Sequence, residues 1–137
     1  MKKFTLSLFA AVAGLAAMPA SASDFDGSRI LLCASIETFG CAAGSNCVKE
    51  APEDINVPQF FRINFKEKLI RAKRLNGEEV SSKIVSEVHD NGEMILQGVQ
   101  NQLGWSMAIT EENGKMSLTA SGDQVAFTVF GACTPLQ

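Results

Sequence analysis

The sequence predicts an all-β protein whose antiparallel strands follow one another along the chain as a meander. Between Phe60 and Gly131, short segments alternate apolar and polar residues, the pattern of a strand with one buried face. A turn-forming pair or short run closes each segment, and such turns join neighbouring antiparallel strands into hairpins. The turn signals are Asn76-Gly77, Asn91-Gly92, Asn101 to Gly104, Asn113-Gly114 and Gly122-Asp123.

The meander must bury its apolar face, and the sequence contains no helical pattern long enough to cover it. We therefore predict that the sheet closes into a small antiparallel barrel of roughly eight strands. A two-sheet sandwich is the second choice.

The N-terminus has the parts of a secretory signal peptide. Met1 to Lys3 form a basic start, Phe4 to Met18 are mostly apolar, and Ala20 to Ala22 give a small-x-small exit. The apolar run is short for a transmembrane helix, so a membrane anchor is the weaker alternative. We expect residues 1–22 to be a signal peptide and residues 23–137 a single β domain, located in the periplasm or secreted.

The net charge of the mature chain argues against two classes of function. Lys2 and Lys3 leave with the signal peptide, so the 12 basic residues become 10 against 15 acidic ones, a net charge of about −5. An acidic chain of this kind is not expected to bind nucleic acid or to insert into a membrane after signal cleavage.

Four cysteines in an oxidising compartment predict two disulfides. Cys41 and Cys47 flank five small or polar residues, which would place them opposite each other at a hairpin mouth. Cys33 then pairs with Cys133 and ties the first strand to the last. A metal site is the alternative, but no CxxC pair is present and the single histidine, His89, lies in another segment. We expect neither metal nor cofactor.

The segment from Arg29 to Phe39 is ambiguous. Its apolar residues alternate from Ile30 to Ile36 as in a strand, whereas Leu32, Ile36 and Phe39 also fit one face of a helix. We predict a strand, because the disulfide requires an extended cysteine next to a neighbouring strand and β-branched residues favour that conformation.

A connecting loop precedes the meander. Glu50 to Pro58 holds two prolines and three acidic residues, which predicts a loop with one helical turn begun at Pro52. Seven strands are expected from Phe60 onward, and one or two before it. In the last strand Cys133 is in phase with Val125, so it should point toward the core. The apolar residues of the seven strands are Phe61, Ile63 and Phe65, then those of Leu69 to Leu75, then Ile84 and Val88, Met94 and Leu96, Leu103, Trp105, Met107 and Ile109, Met116, Leu118 and Ala120, and Val125, Phe127 and Val129.

Catalytic signals are weak, so we expect no catalytic residues and no enzyme. His89 is followed by Asp90, but adjacent strand residues face opposite sides and the pair lies beside a turn. No Gly-x-Ser-x-Gly elbow supports a Ser-His-Asp triad. The acidic pairs Glu78-Glu79 and Glu111-Glu112 also lie beside turns, where solvated charge is normal.

A basic hairpin is the candidate binding patch. It carries six of the ten positive charges expected in the mature chain, enough to attract a phosphate, a lipid headgroup or an acidic partner. The alternative is a solvated strand face whose charges discourage edge pairing. The patch consists of Arg62, Lys66, Lys68, Arg71, Lys73 and Arg74.

Two resemblances accompany these patterns. Phe60 to Phe65, Leu96 to Val99, Gly104 to Met107 and Phe130 to Pro135 resemble segments of a family of small exported proteins of Gram-negative bacteria that has no assigned activity. The architecture is similar to that of the periplasmic C-type lysozyme inhibitors, which also join an early strand to the C-terminus by a disulfide. Their inhibitory Ser-Gly is closely followed by tyrosine, whereas this chain contains no tyrosine, so the inhibitory residues are not carried over.

The leading functional hypothesis is a non-enzymatic binding or inhibitor module for a macromolecular partner, which is either a protein or an anionic partner. A lipocalin-like carrier of a small apolar ligand is the alternative. Five large residues are expected to fill the interior, with Trp105 packed in the core, and a full interior favours the first hypothesis. An open apolar cavity would favour the carrier. The five residues are Phe61, Phe65, Trp105, Met107 and Phe127.

Overall fold

A computed structural model describes residues 23–137, so the predicted signal peptide lies outside the described residues. Within that range the chain forms ten β-strands and one short 3₁₀ helix, which confirms the all-β prediction. The strands are β1 (Leu31–Ala42), β2 (Val48–Glu50), β3 (Phe60–Asn64), β4 (Leu69–Lys73), β5 (Glu79–Lys83), β6 (Ser86–Asp90), β7 (Glu93–Gln100), β8 (Leu103–Thr110), β9 (Lys115–Gly122) and β10 (Val125–Pro135). The 3₁₀ helix spans Pro52–Ile55, at the predicted helical turn.

Nine strands form one antiparallel sheet in the order β5-β4-β3-β1-β10-β9-β8-β7-β6, and this sheet curls into a half-barrel. Strand β1 pairs with β10 along one edge; on its other edge it pairs first with β3 and then with the short β2. Both predicted disulfides are present. Cys33 lies directly opposite Cys133 in the β1–β10 register, and Cys41 bonds Cys47 in the adjacent loop.

The five predicted turns all join consecutive strands. Four of them contain a residue with a left-handed backbone, and at Gly122-Asp123 the left-handed residue is the next one, Gln124, with φ of 57°. Asn91 and Gly92 have φ values of 48° and 81°, and Asn101 and Gln102 have values of 49° and 67°. Two successive left-handed residues match the twist of a tight hairpin.

The two edge strands of the sheet, β5 and β6, are consecutive in the chain and meet at a corner. The Ile84 amide donates to the Lys68 carbonyl at 2.9 Å, beside β4, and the Val85 amide donates to the Gln97 carbonyl at 2.8 Å, beside β7. The chain therefore bridges the two edges of the half-barrel at this corner and joins them at one end.

The strand count from Phe60 onward is eight, not the predicted seven. The missed strand, β5, has only one apolar residue, Val80, so its alternation is weak and its pairing with β4 defines it. Two strands of the described chain, β1 and β2, precede Phe60, within the predicted range of one or two, and β2 pairs with β1 beyond the Cys41–Cys47 loop.

Strand β1 confirms the predicted strand between Arg29 and Phe39. Its buried side chains, however, are at the positions that alternate with the apolar set from Ile30 to Ile36. Leu31, Cys33 and Ser35 are buried, whereas Ile36 is 66% exposed. The register with β10 shifts between Ser35 and Glu37, so Ile36 is the extra residue of a β-bulge.

The core of the half-barrel is packed at one end. In β10, Val129 and Cys133 are buried as their phase predicted. The buried apolar side chains are Leu31, Cys33, Phe61, Ile63, Phe65, Ile84, Met94, Leu96, Trp105, Met107, Ile109, Met116, Val129 and Cys133.

Candidate functional site

The other end of the half-barrel holds an open cavity of about 190 Å³. Its walls come from one end of the strands that line it. On β8, Trp105 and Met107 line the cavity while Ile109 is buried beyond it, and on β10, Phe127 lines it while Val129 does not. The expectation that large side chains fill the whole interior is therefore wrong. Phe65 is buried in the packed end, and the other four large residues line the cavity.

The loop after the 3₁₀ helix forms one side of the mouth. Ile55 to Pro58 line the cavity, and Val57 packs against the core. Buried Ser35 anchors this loop, because its hydroxyl donates to the Pro58 carbonyl at 3.0 Å and its amide donates to the Gln59 carbonyl at 2.9 Å. The mouth is thus held by hydrogen bonds to β1, which favours a preformed site.

Trp105 forms a wall of the cavity, and its side chain reaches from β8 to the edge strand β5. Its indole Nε1 donates to the Ser82 hydroxyl of β5 at 2.9 Å, and its side chain is largely buried. Gly98 of β7 lies opposite Trp105, and a Cβ at Gly98 would collide with the indole. The hydrogen bond and the close glycine together fix the orientation of the ring.

Arg74 is the one charged side chain that lines the cavity within residues 23–137. Its Nη1 donates to Glu78 Oε2 at 2.8 Å, while its buried Nε has no hydrogen-bond partner among the described residues. Arg74 is in phase with Ile70 and Ala72 of β4, which also line the cavity. Arg74 was predicted as a member of the basic patch, although the alternation along β4 was a signal of its inward position.

The rest of the basic patch lies on the outer face and in the hairpin turn. Arg62 and Arg71 are exposed and directly opposite each other across β3 and β4. Arg71 also pairs with Glu67 at 2.6 Å. Within the described chain, four patch residues have no carboxylate within 4.0 Å; they are Arg62, Lys66, Lys68 and Lys73.

His89 contacts two carboxylates, neither of which is the adjacent Asp90. His89 Nδ1 lies 2.5 Å from Glu111 Oε1, and Nε2 lies 3.3 Å from Glu87 Oε1. The hydrogen bond to Glu111, followed by that to Glu87, raises the pKa of His89. The Ser23 hydroxyl donates to the backbone carbonyl of Glu111, so it does not contact the imidazole. The contact between His89 and Glu111 arises from cross-strand placement and has no signal in the local sequence.

Neither a metal centre nor a membrane-spanning helix is found in the described range. Across residues 23–137, no group of three or more His, Cys, Asp or Glu side chains is arranged to hold a metal ion. The same residues contain no helix with the length and apolarity needed to cross a membrane. The two disulfides indicate an oxidising compartment outside the cytoplasm.

Comparison with known proteins assigns no family. The chain matches no protein-family model and no curated protein sequence. The geometry of the cavity and of the charged groups around it is therefore the basis for a functional assignment.

Proposed function

We propose that this protein is a non-enzymatic, lipocalin-like carrier that binds a small apolar ligand in the cavity of its half-barrel. The observation that carries the proposal is the open cavity of about 190 Å³ at the end where large side chains were expected to fill the interior. An apolar cavity of about 150 Å³ in another protein accepts benzene, so this one suits a single ring or a short aliphatic chain.

The lining supports an apolar occupant. Phe61, Ile70, Leu118 and Phe127 contribute aliphatic and aromatic surface, and the polar side chains are few, as in most small-molecule sites. Each ligand methylene transferred from water into such a site contributes about 0.8 kcal/mol to binding. The anchored mouth loop limits the ordering cost of binding.

The proposed location is the periplasm or the medium. The N-terminal pattern of residues 1–22 supports export, and the two disulfides support an oxidising destination. A carrier in that location would shield an apolar molecule from water.

Calorimetric titration of the mature protein with octan-1-ol tests the proposal. Ala120 lines the cavity between Trp105 and Phe127, so Ala120→Leu should occupy ligand space and weaken binding at least about ten-fold. Ala108→Leu is the matched control, because Ala108 lies on the outer face of β8. Absence of saturable binding, or equal affinity in the two variants, would contradict the proposal.

A second candidate function is the binding of an anionic macromolecule on the outer face of β3 and β4. The observation that favours it is the placement of Arg62 directly opposite Arg71 on the outer face: Glu67 pairs with Arg71, whereas Arg62 has no carboxylate within 4.0 Å among the described residues. We expect Arg62→Gln combined with Lys73→Gln to elute earlier from immobilised heparin than wild type. Lys115→Gln on β9 is the control, and unchanged elution of the double variant would exclude this function.

A further inference from the structure

We propose that the ligand of the cavity is an amphipathic carboxylate, with its apolar tail in the half-barrel and its carboxylate on Arg74. This inference rests on the proposed function and adds the chemical class of the ligand.

The cavity combines apolar walls with one cation. Arg74 is the single charged side chain that lines it within the described range, and no acidic side chain of that range is among the lining residues. The remaining polar groups near the mouth are neutral, including Asn56 and Asn101. A carboxylate therefore meets attraction without a competing repulsion inside the cavity, whereas a cationic ligand meets Arg74.

Arg74 also has unused hydrogen-bonding capacity. A guanidinium carries five N–H donors in a planar fork, and in residues 23–137 the side chain donates to Glu78 through Nη1 alone. Its Nε is buried and has no partner among these residues. A buried donor without an acceptor carries a desolvation penalty, and a carboxylate that accepts from the Nε side of the fork removes it.

Glu78 does not block this role. Its side chain is 53% exposed, and it pairs with Arg74 in the turn before β5, outside the cavity lining. Because Nε is shielded from solvent, binding requires the guanidinium to turn toward the cavity. An exposed carboxylate such as that of Glu78 can follow that movement at small cost.

The cavity size sets the tail length. Its volume of about 190 Å³ somewhat exceeds the cavity of about 150 Å³ that holds the six carbons of benzene in another protein. A tail of about six to eight carbons therefore fills it while the head group remains at the rim. Up to that length each added methylene should tighten binding about four-fold, and longer tails should gain nothing further.

Calorimetry with hexanoate, octanoate, decanoate and octan-1-ol tests the inference on the mature wild-type protein. We expect octanoate to bind at least about ten-fold more tightly than octan-1-ol, since a charge-assisted bond to Arg74 is available only to the acid. We also expect affinity to rise from hexanoate to octanoate and to level off at decanoate. Equal affinity for octanoate and octan-1-ol would overturn the carboxylate assignment while leaving the apolar cavity site intact. Failure of all four probes to bind would instead overturn the proposed function.

Variants locate the contact. Arg74→Met should lose about ten-fold in octanoate affinity while octan-1-ol affinity stays within two-fold. Lys115→Met, which removes an exposed charge on the outer face of β9, should change neither affinity. Arg74→Lys keeps the charge without the fork and should fall between wild type and Arg74→Met. Equal weakening of acid and alcohol in Arg74→Met would show a structural role and overturn the assignment. The wild-type comparison decides the ligand class even when a variant fails to fold.

Discussion

At the scale of single residues, Gly98 leaves the space that the indole of Trp105 occupies in the cavity wall. A Cβ at this position meets the indole of Trp105 and lies 2.5 Å from the carbonyl oxygen of Lys83. A backbone carbonyl cannot move aside as a flexible side chain does, so Gly98→Ala should lower the free energy of unfolding by about 1–3 kcal/mol. Urea denaturation followed by Trp105 emission measures this loss.

Gly104 is the matched control for that substitution. It lies in β8, and nothing is within 4 Å of a Cβ built there. Gly104→Ala should therefore change the free energy of unfolding by less than about 0.5 kcal/mol. Equal losses in the two variants would show that the close approach at Gly98 is not what constrains the residue.

His89 makes stability depend on pH. The hydrogen bond to Glu111, and then that to Glu87, raises the pKa of His89 above its ordinary value of 6.5. The stabilisation is therefore complete below pH 6.5 and is lost as pH rises through the higher folded-state pKa. The imidazole is 41% exposed, so the effect should stay below about 1 kcal/mol.

Unfolding of wild type and His89→Gln at pH 5.5 and pH 8.5 checks this prediction. The stability difference between the two proteins should be larger at pH 5.5. A difference that is constant with pH, or larger at pH 8.5, would contradict the assigned carboxylate contacts.

At the scale of elements, β1 is the strand on which both halves of the sheet depend, and its disulfide to β10 should matter most. The Cys33–Cys133 pair closes a separation of 100 residues, and the Cys41–Cys47 pair closes one of 6. In the chain-entropy model a 100-residue loop contributes about 4.7 kcal/mol and a loop shorter than 15 residues less than about 3 kcal/mol.

We therefore expect Cys33→Ala with Cys133→Ala to destabilise the protein by more than Cys41→Ala with Cys47→Ala. Urea unfolding of the two double variants measures the order. The reverse order would mean that the fold does not rely on the β1–β10 crosslink.

The elements that the sequence predicted well are those whose signals are local. The turn at Asn91-Gly92 could be predicted because two successive left-handed residues specify a tight hairpin from two positions alone. Strand β5 could not, because its polar sequence becomes a strand only through pairing with β4. The bulge at Ile36 was missed for the same reason: the register of β1 is set by β10, which lies about 100 residues away in sequence.

At the scale of the whole molecule, the cavity follows from how the sheet curls. The sequence identified the large inward residues, but not that Phe65 lies in the packed end while Phe61 and Phe127 leave space between them. That difference depends on the curl of the sheet and on the position of the loop from Ile55 to Pro58, neither of which has a local signal. The inward placement of Arg74 could have been predicted from the alternation along β4, because Arg74 is in phase with Ile70 and Ala72.

The same scale explains why the site contains both a cation and apolar walls. The chain after β4 turns at Asn76-Gly77, so Arg74 stands at the last inward position before the hairpin, at the rim of the half-barrel. Charge at the rim and apolar surface inside are the arrangement that an amphipathic ligand requires.

Quenching of Trp105 emission by 8-bromooctanoate tests the central claim most directly. Trp105 is the single tryptophan, the chain has no tyrosine, and its indole lines the cavity, so the signal reports occupancy of this site alone. We predict saturable quenching in wild type and at least about ten-fold weaker binding in Ala120→Leu, because the added side chain takes the space of the tail. Quenching that rises linearly without saturation, or that is identical in the two proteins, would contradict ligand binding in the half-barrel.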